Sequence, residues 1–367
     1  EAYAAGAYDV AVNWNDEEFA HIRFRQAKAE RFREFPAWRK AFYDDHAERN
    51  AAFISIAASN PDIFSDVDPK RLTDASMAAG KALMDYRARL MSNKNTWCVV
   101  SVPTTAWARK VFPDCSPEEA VEKLWAAILS AARISETENP ISAWHAHIER
   151  LQQRTAFLNA HAFTELHYRN GLGTDLRIAL PEGHIWMGGA ERSAAGTLFA
   201  ANIPTEEVYT MPKRTGVNGT VFASKPLHYN GNLIEDFNLT FRDGKVVDYR
   251  AQRGHEHLKE LLETDEGASY LGEVALVPHD SPISQSGILF YNTLFDENAS
   301  CHLALGKAYP TCIENGENMT EDELRQHDVN HSLVHEDFMI GTADLTVVGR
   351  KRSGETVTIM EHGNFAF

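Results

Sequence analysis

The chain has 367 residues, with 36 Lys and Arg against 52 Asp and Glu, a formal charge of −16 with His neutral. At roughly 150 residues per domain the length predicts two domains, and 44% apolar with 24% charged residues exclude disorder, collagen or coiled coil as a description of the whole. An acidic chain without a Lys/Arg stripe repels polyphosphate and anionic lipid, so nucleic acid and membrane are not expected as partners.

Residue 1 carries no basic-then-apolar leader, and no apolar run approaches the ~20 residues of a membrane span. Cys98, Cys115, Cys301 and Cys312 lack CxxC spacing, which predicts free thiols and a cytoplasmic location. The Asn-x-Ser/Thr triplets at Asn218, Asn238, Asn298, Asn318 and Asn330 are read as chance.

In chain order, the opening EAYAAGAYDVAVNW reads as the end of a helix stopping at Gly6, then a strand Asp9–Trp14. Helices follow over 16–33 and 37–50, a strand over 51–57, a helix over 69–91 and a strand over 97–102. Short helices are expected at 105–111 and 117–130, and an amphipathic one at 143–159, where Trp144, Ile148, Leu151 and Phe157 recur at helical spacing. Strands alternating with helices predict an α/β N-terminal domain over 1–159 with a mostly parallel sheet, covered on both faces.

From residue 160 the texture becomes short alternating strands, at 163–168, 175–180, 233–241 and 343–348, with Asp243-Gly244 as a hairpin turn. Helices at 255–263 and 321–327 complete an α+β, strand-rich C-terminal domain over 160–367.

Several familiar motifs fail on mechanism. Gly171-Leu172-Gly173 lacks the third glycine and the following helix of a dinucleotide loop, so it reads as a turn. His255-Glu256-His257 sets its histidines two apart, where a zinc helix needs four, and reads as an exposed helix start. Neither a nucleophile elbow nor a phosphate loop is present, against a serine hydrolase or a P-loop NTPase.

Four segments of the second half carry acids and histidines in apolar, loop-bounded sequence. In NIPTEEVYTMP, Glu206 and Glu207 follow a Pro turn, and Glu206 is expected to face water. In YLGEVALVP, Glu273 is the sole charge in a stretch that reads as a buried strand, where a carboxylate needs a cation, a partner or a proton. LFDENASCHLALGKAYP runs from an acidic turn into Cys301, His302 and Tyr309, and both Cys301 and Cys312 are expected to be buried. In SLVHEDFMIGT, an extended chain points His335 and Asp337 one way and Glu336 the other.

Glu207, Glu273, His302, His335 and Asp337 form a carboxylate and imidazole set suited to divalent metals. Two dications and three carboxylates leave one positive charge, a balance that favours deprotonation of a shared water near neutral pH.

On these segments, and on WARKVFPD (Trp107–Asp114), GTDLRIALPEGHIW (Gly173–Trp186), KRTGVNGTV (Lys213–Val221), NGNLIEDFNLTF (Asn230–Phe241) and the long run Asp280–Cys312, the sequence resembles the thermophilic metalloprotease family of metallo-aminopeptidases, the aminopeptidase T and aminopeptidase S type. The resemblance runs along essentially the whole chain. It implies metal ligands at Glu207, Glu273, His302, His335 and Asp337, an active-site tyrosine at Tyr309, and two divalent ions per chain, for which zinc, cobalt or manganese would serve. It further implies a homodimer whose sites open into an enclosed cavity admitting peptides with a free N-terminus.

Against the family, Glu336 stands where an apolar residue is expected, and an initial strand and most of a helix are expected before residue 1. The expected chemistry is release of N-terminal amino acids by attack of a metal-bridging water, with Tyr309 donating to the oxyanion and Glu273 shuttling a proton if the metals leave it free. A two-metal hydrolase of another amide or ester bond, and a non-catalytic binding protein of the same fold, are the competing readings.

Overall fold

The computed structural model describes residues 1–229 and 232–367. Helix starts follow from capping chemistry: Asp16, Asp68, Thr104, Ser116 and Asn139 each accept a hydrogen bond from a first-turn N–H, filling a donor the helix leaves open. Helices Thr105–Val111, Pro117–Ala131 and Pro140–His161 lie close to their expected bounds. The expected 69–91 helix is two, Pro69–Ala82 and Met84–Met91, parted at Leu83.

The first half departs from expectation in its sheet. Phe53–Ala57 and Trp97–Ser101 do pair in parallel, from Phe53 opposite Trp97 to Ala57 opposite Ser101, and Val99 bridges in parallel to Asn202. Asp9–Trp14, however, forms no strand, and residues 2–6 form turns, not a helix end. Residues 1–16 are exposed throughout, and an extended segment with no neighbour has nothing to accept its ladder of hydrogen bonds. Nor is the pair covered on both faces, since Ile54 and Ile56 lie open at 72% and 63% exposure.

The second half is built on two antiparallel sheets packed face to face, with a further two-stranded pair, Glu191–Arg192 with Leu198–Phe199, beside them. The larger runs in the order 245–253, 232–242, 217–222, 175–179, 165–169, 346–350, 356–361 and 364–365, with 227–229 pairing at the side of 232–242. Asp243 and Gly244 take positive φ in its hairpin, as a two-residue turn requires. Glycine is needed there also for space, because a Cβ on Gly244 would fall 1.8 Å from the Arg214 carbonyl oxygen. The glycines at 171 and 173 form a turn between two antiparallel strands, and His255 and Glu256 are the exposed start of a helix that buries Leu258, Leu261 and Leu262.

The smaller sheet has four strands in the order His335–Met339, His302–Gly306, Leu271–Leu276 and Val208–Thr210. Alternation splits its side chains. Val274, Leu276, Leu303, Leu305 and Phe338 join the core shared with the larger sheet, where Phe338 meets Phe237 at 5.7 Å between ring centres. The opposite face carries Glu273, His302, His335 and Asp337, with Ala304 between Glu273 and Asp337 in register, Ala275 opposite His302, and Gly306 opposite His335. Small residues at those three places leave room above the sheet for whatever the polar side chains hold.

Helices from the first half complete both ends of this arrangement. Pro140–His161 buries Leu151 and Leu158 in the shared core. Trp107, Leu124 and Ile128 pack on Ile283, Phe290 and Phe295, and the Trp107 indole donates to the Phe290 carbonyl at 2.5 Å. Cys301 and Cys312 are buried as expected, and all four cysteines are free. Asn298 and Asn330 are also buried, so neither is an acceptor for a glycan. Among the described residues no helix is long and apolar enough to cross a membrane.

Candidate functional site

Glu273 stands on the strand Leu271–Leu276, every residue of which is buried. Its two oxygens address different neighbours: Oε1 lies 3.6 Å from His302 Nε2, and Oε2 lies 3.4 Å from His335 Nε2. His302 Nε2 is also 3.1 Å from Glu207 Oε2, and His335 Nε2 is 3.5 Å from Asp337 Oδ1. The result is two groups sharing Glu273, namely Glu207, Glu273 and His302, and Glu273, His335 and Asp337, each compact enough to hold a metal ion.

Both imidazoles are set for ligation by the backbone. His302 Nδ1 lies 3.1 Å from the Ser300 carbonyl and His335 Nδ1 lies 2.7 Å from the Lys307 carbonyl. A carbonyl only accepts, so each Nδ1 carries the hydrogen and each Nε2 turns toward the carboxylates, the arrangement that orients metal-ligating histidines. Asp337 Oδ1 is buried and receives no hydrogen bond, as an oxygen reserved for a cation would be.

The electrostatics carry the same signature. Burial pushes the Glu273 carboxyl up, but His302 and His335 together outweigh it and hold the group at about 2. Burial pushes both imidazoles down, and their carboxylate neighbours more than reverse this, leaving each well above the ordinary histidine value. Glu207, with fewer cationic neighbours, is pushed up by burial. Without cations, then, the cluster holds protons on its imidazoles, and divalent ions would take the place of those protons.

The cluster lines a pocket to which the first half of the chain contributes Leu90, Met91, Asn93 and Trp97. Tyr309 lines it, its ring 4.7 Å from that of His335, and burial pushes the phenol well above its usual value, so the hydroxyl keeps its proton. Glu297 lines it too, its carboxyl driven well above the carboxylate range by burial and by the negative charges of Glu207 and Asp337.

Residues 1–365 match the thermophilic metalloprotease (M29) family. The chain belongs to that family. Over its whole length it is 52% identical to aminopeptidase 2 of Geobacillus stearothermophilus and 49% identical to aminopeptidase AmpS of Bacillus subtilis, covering 88% and 89% of them. The solved structure of wild-type AmpT from Thermus thermophilus superposes with a TM-score of 0.93 at 39% identity, over 100% of this chain and 89% of that one.

All five ligand positions that the sequence pointed to in this M29 chain converge, with Tyr309 beside them. Glu336 pairs with Leu305 on the core-facing side of its strand, away from the ligands, and burial pushes it up to about 8. Glu206 corrects an expectation: it does not face water but is buried at 2% exposure. It is paired through both oxygens with Arg133, whose Nη2 lies 2.8 Å from Oε2, and its backbone N–H donates to Asn298 Oδ1 at 2.7 Å. The cause is tertiary, because Arg133 comes from the end of a helix in the first half.

Glu297 was missed among candidate residues, although a signal existed. It adjoins Asp296, which spends its carboxylate on the Phe290 and Asn292 N–H groups at 2.8 and 3.0 Å, whereas the carboxyl of Glu297, five residues before His302, accepts only a long bond from Asn298 Nδ2 at 3.5 Å among the described residues.

Arg133 fixes Glu206, the residue next to Glu207, so its removal leaves an uncompensated buried charge. Arg133→Ala should destabilise the protein by about 3–5 kcal/mol, the scale for breaking a buried pair, measured as a loss of denaturant midpoint at constant slope.

Proposed function

We propose that this chain removes the N-terminal residue from peptides at a centre of two divalent metal ions that share Glu273. The class, a hydrolase acting as an exopeptidase, is that of the M29 family and of its aminopeptidase relatives. The two-metal reading goes further. It is carried by one observation: the two oxygens of a single buried carboxylate address separate histidine and carboxylate groups.

Glu207, Glu273 and His302 would hold one ion, and Glu273, His335 and Asp337 the other. Zinc, cobalt and manganese all suit this donor set. When bound, such ions supply Lewis acidity toward the scissile carbonyl and lower the pKa of water at the site.

The remaining work falls to the protein. With both oxygens of Glu273 engaged, proton transfer passes to Glu297, which lines the pocket outside both metal-competent groups and whose burial raises its affinity for a proton, suiting it to take one from the attacking water and return it to the leaving amine. Tyr309 keeps its phenolic proton and stands beside His335, placed to donate to the oxyanion of the tetrahedral intermediate. The pocket wall of Leu90, Met91 and Trp97 offers apolar surface to the side chain of the residue being removed. With this reading go the homodimer and enclosed cavity implied by the family resemblance, and a cytoplasmic location, which four unpaired cysteines suit.

Leucine p-nitroanilide should be hydrolysed by enzyme carrying two equivalents of metal, lost on chelation and regained on adding back zinc, cobalt or manganese, while N-acetyl-leucine p-nitroanilide is refused. Activity surviving complete metal removal would discard the mechanism, and equal turnover of the acetylated compound would move the enzyme to another class of amide hydrolase. Tyr309→Phe should lower kcat by about 10²-fold, the scale for one oxyanion donor, with metal content unchanged; metal loss in that variant would make the tyrosine a structural support.

A further inference from the structure

The pocket contains a carboxylate that the mechanism above does not use. Glu191 lines it but belongs to neither metal-competent group.

Its position follows from backbone register. Met187 and Tyr209 exchange both backbone hydrogen bonds, at 2.8 and 2.9 Å, as an antiparallel pair. From there the chain runs past Gly188, where a Cβ would lie 2.7 Å from the Glu207 carbonyl oxygen. Glu191 stands two residues further on, beyond the bend at Gly189 (φ +81°), where it opens the two-residue strand Glu191–Arg192 paired with Leu198–Phe199. There it is clamped to the first half: Asn93 Nδ2 donates to Glu191 Oε2 at 2.5 Å, and the Asn93 carbonyl accepts from the Ala194 N–H at 2.8 Å.

Charge and a shared pocket both suit a cationic group of the substrate. Burial pushes the Glu191 carboxyl up, and none of the described residues lining the pocket is a Lys or Arg that would hold it ionised, so a cation on the substrate would supply the missing counter-charge. The α-nitrogen of a peptide lies about 2.5 Å from the carbonyl carbon of its own residue, and an ammonium to carboxylate hydrogen bond adds about 2.8 Å. An α-ammonium held by Glu191 would therefore keep the scissile carbonyl inside the pocket that Glu191 shares with Glu207, Glu273, His302, His335 and Asp337.

We infer that Glu191, held by Asn93, binds the protonated α-amine of the substrate and so sets the cut after the first residue. The inference rests on the two-metal aminopeptidase reading above and assigns a residue to its specificity. The cation chosen is the α-ammonium because every peptide substrate of an exopeptidase presents one, whatever its side chain.

The test uses the metal-loaded enzyme and two small amides, leucinamide and 4-methylpentanamide, which differ only in the α-amine. In Glu191→Gln, with bound metal unchanged, kcat/KM for leucine p-nitroanilide should fall by about 10²-fold, mainly through KM, as for loss of one partner of a desolvated charge pair. The Kd of leucinamide should weaken by the same factor while that of 4-methylpentanamide stays as in the wild type. Glu191→Asp, which keeps the charge, should recover part of the loss. Equal weakening of both amides would make Glu191 a piece of the pocket wall, and unchanged leucinamide binding would put the amine elsewhere; either overturns the inference and leaves the two-metal reading intact. Wild-type enzyme that turns over acetylated and free-amine anilides alike would instead remove the reading on which the inference rests.

Discussion

A carboxylate buried between two imidazoles governs this structure. Glu273 is 5% exposed on a strand with no exposed residue, and an isolated negative charge in such a place is prohibitively costly. It is tolerated because His302 and His335 each approach a different one of its two oxygens, each imidazole fixed through Nδ1 by a backbone carbonyl. The rest of the four-stranded sheet is arranged around that requirement. Its far face is apolar and seals against the larger sheet, while its near face keeps Ala275, Ala304 and Gly306 where larger residues would fill the space above the ligands.

Much of this was readable from alternation alone. In VHEDF a period of two sends His335 and Asp337 to one face and Glu336 to the other, and the register opposite Ala304, Leu305 and Gly306 has that form. Glu273 stood out as the single charge in an apolar strand, and the helices of 105–131 declared themselves through Thr104, Ser116 and the proline after Ser116. These signals are local: each depends on residues within a few positions of one another.

What the sequence could not reveal is long-range. Glu206 and Glu207 are adjacent acids in one short segment, yet one pairs with Arg133 from a distant helix end and the other faces the cluster. No periodicity distinguishes them, because the deciding partners lie 73 and 95 residues away in the chain. Glu191 is similarly silent, its place being set by the Met187 to Tyr209 pairing and by Asn93 across the pocket. The first half failed for a related reason: Asp9–Trp14 has strand-like composition, but a strand exists only where another lies beside it. The first half thus contributes to function chiefly by supplying a wall and two anchors, Asn93 and Arg133, to a site whose polar chemistry lies in the second.

The most direct test of the shared carboxylate is a titration of metal-free protein with zinc, cobalt or manganese, counting equivalents bound by the wild type and by Glu273→Gln. If Glu273 joins the two groups, the wild type takes up two ions and the variant loses affinity for both together. A variant that still binds two ions with wild-type affinity, or that loses one and keeps the other unchanged, would contradict the account.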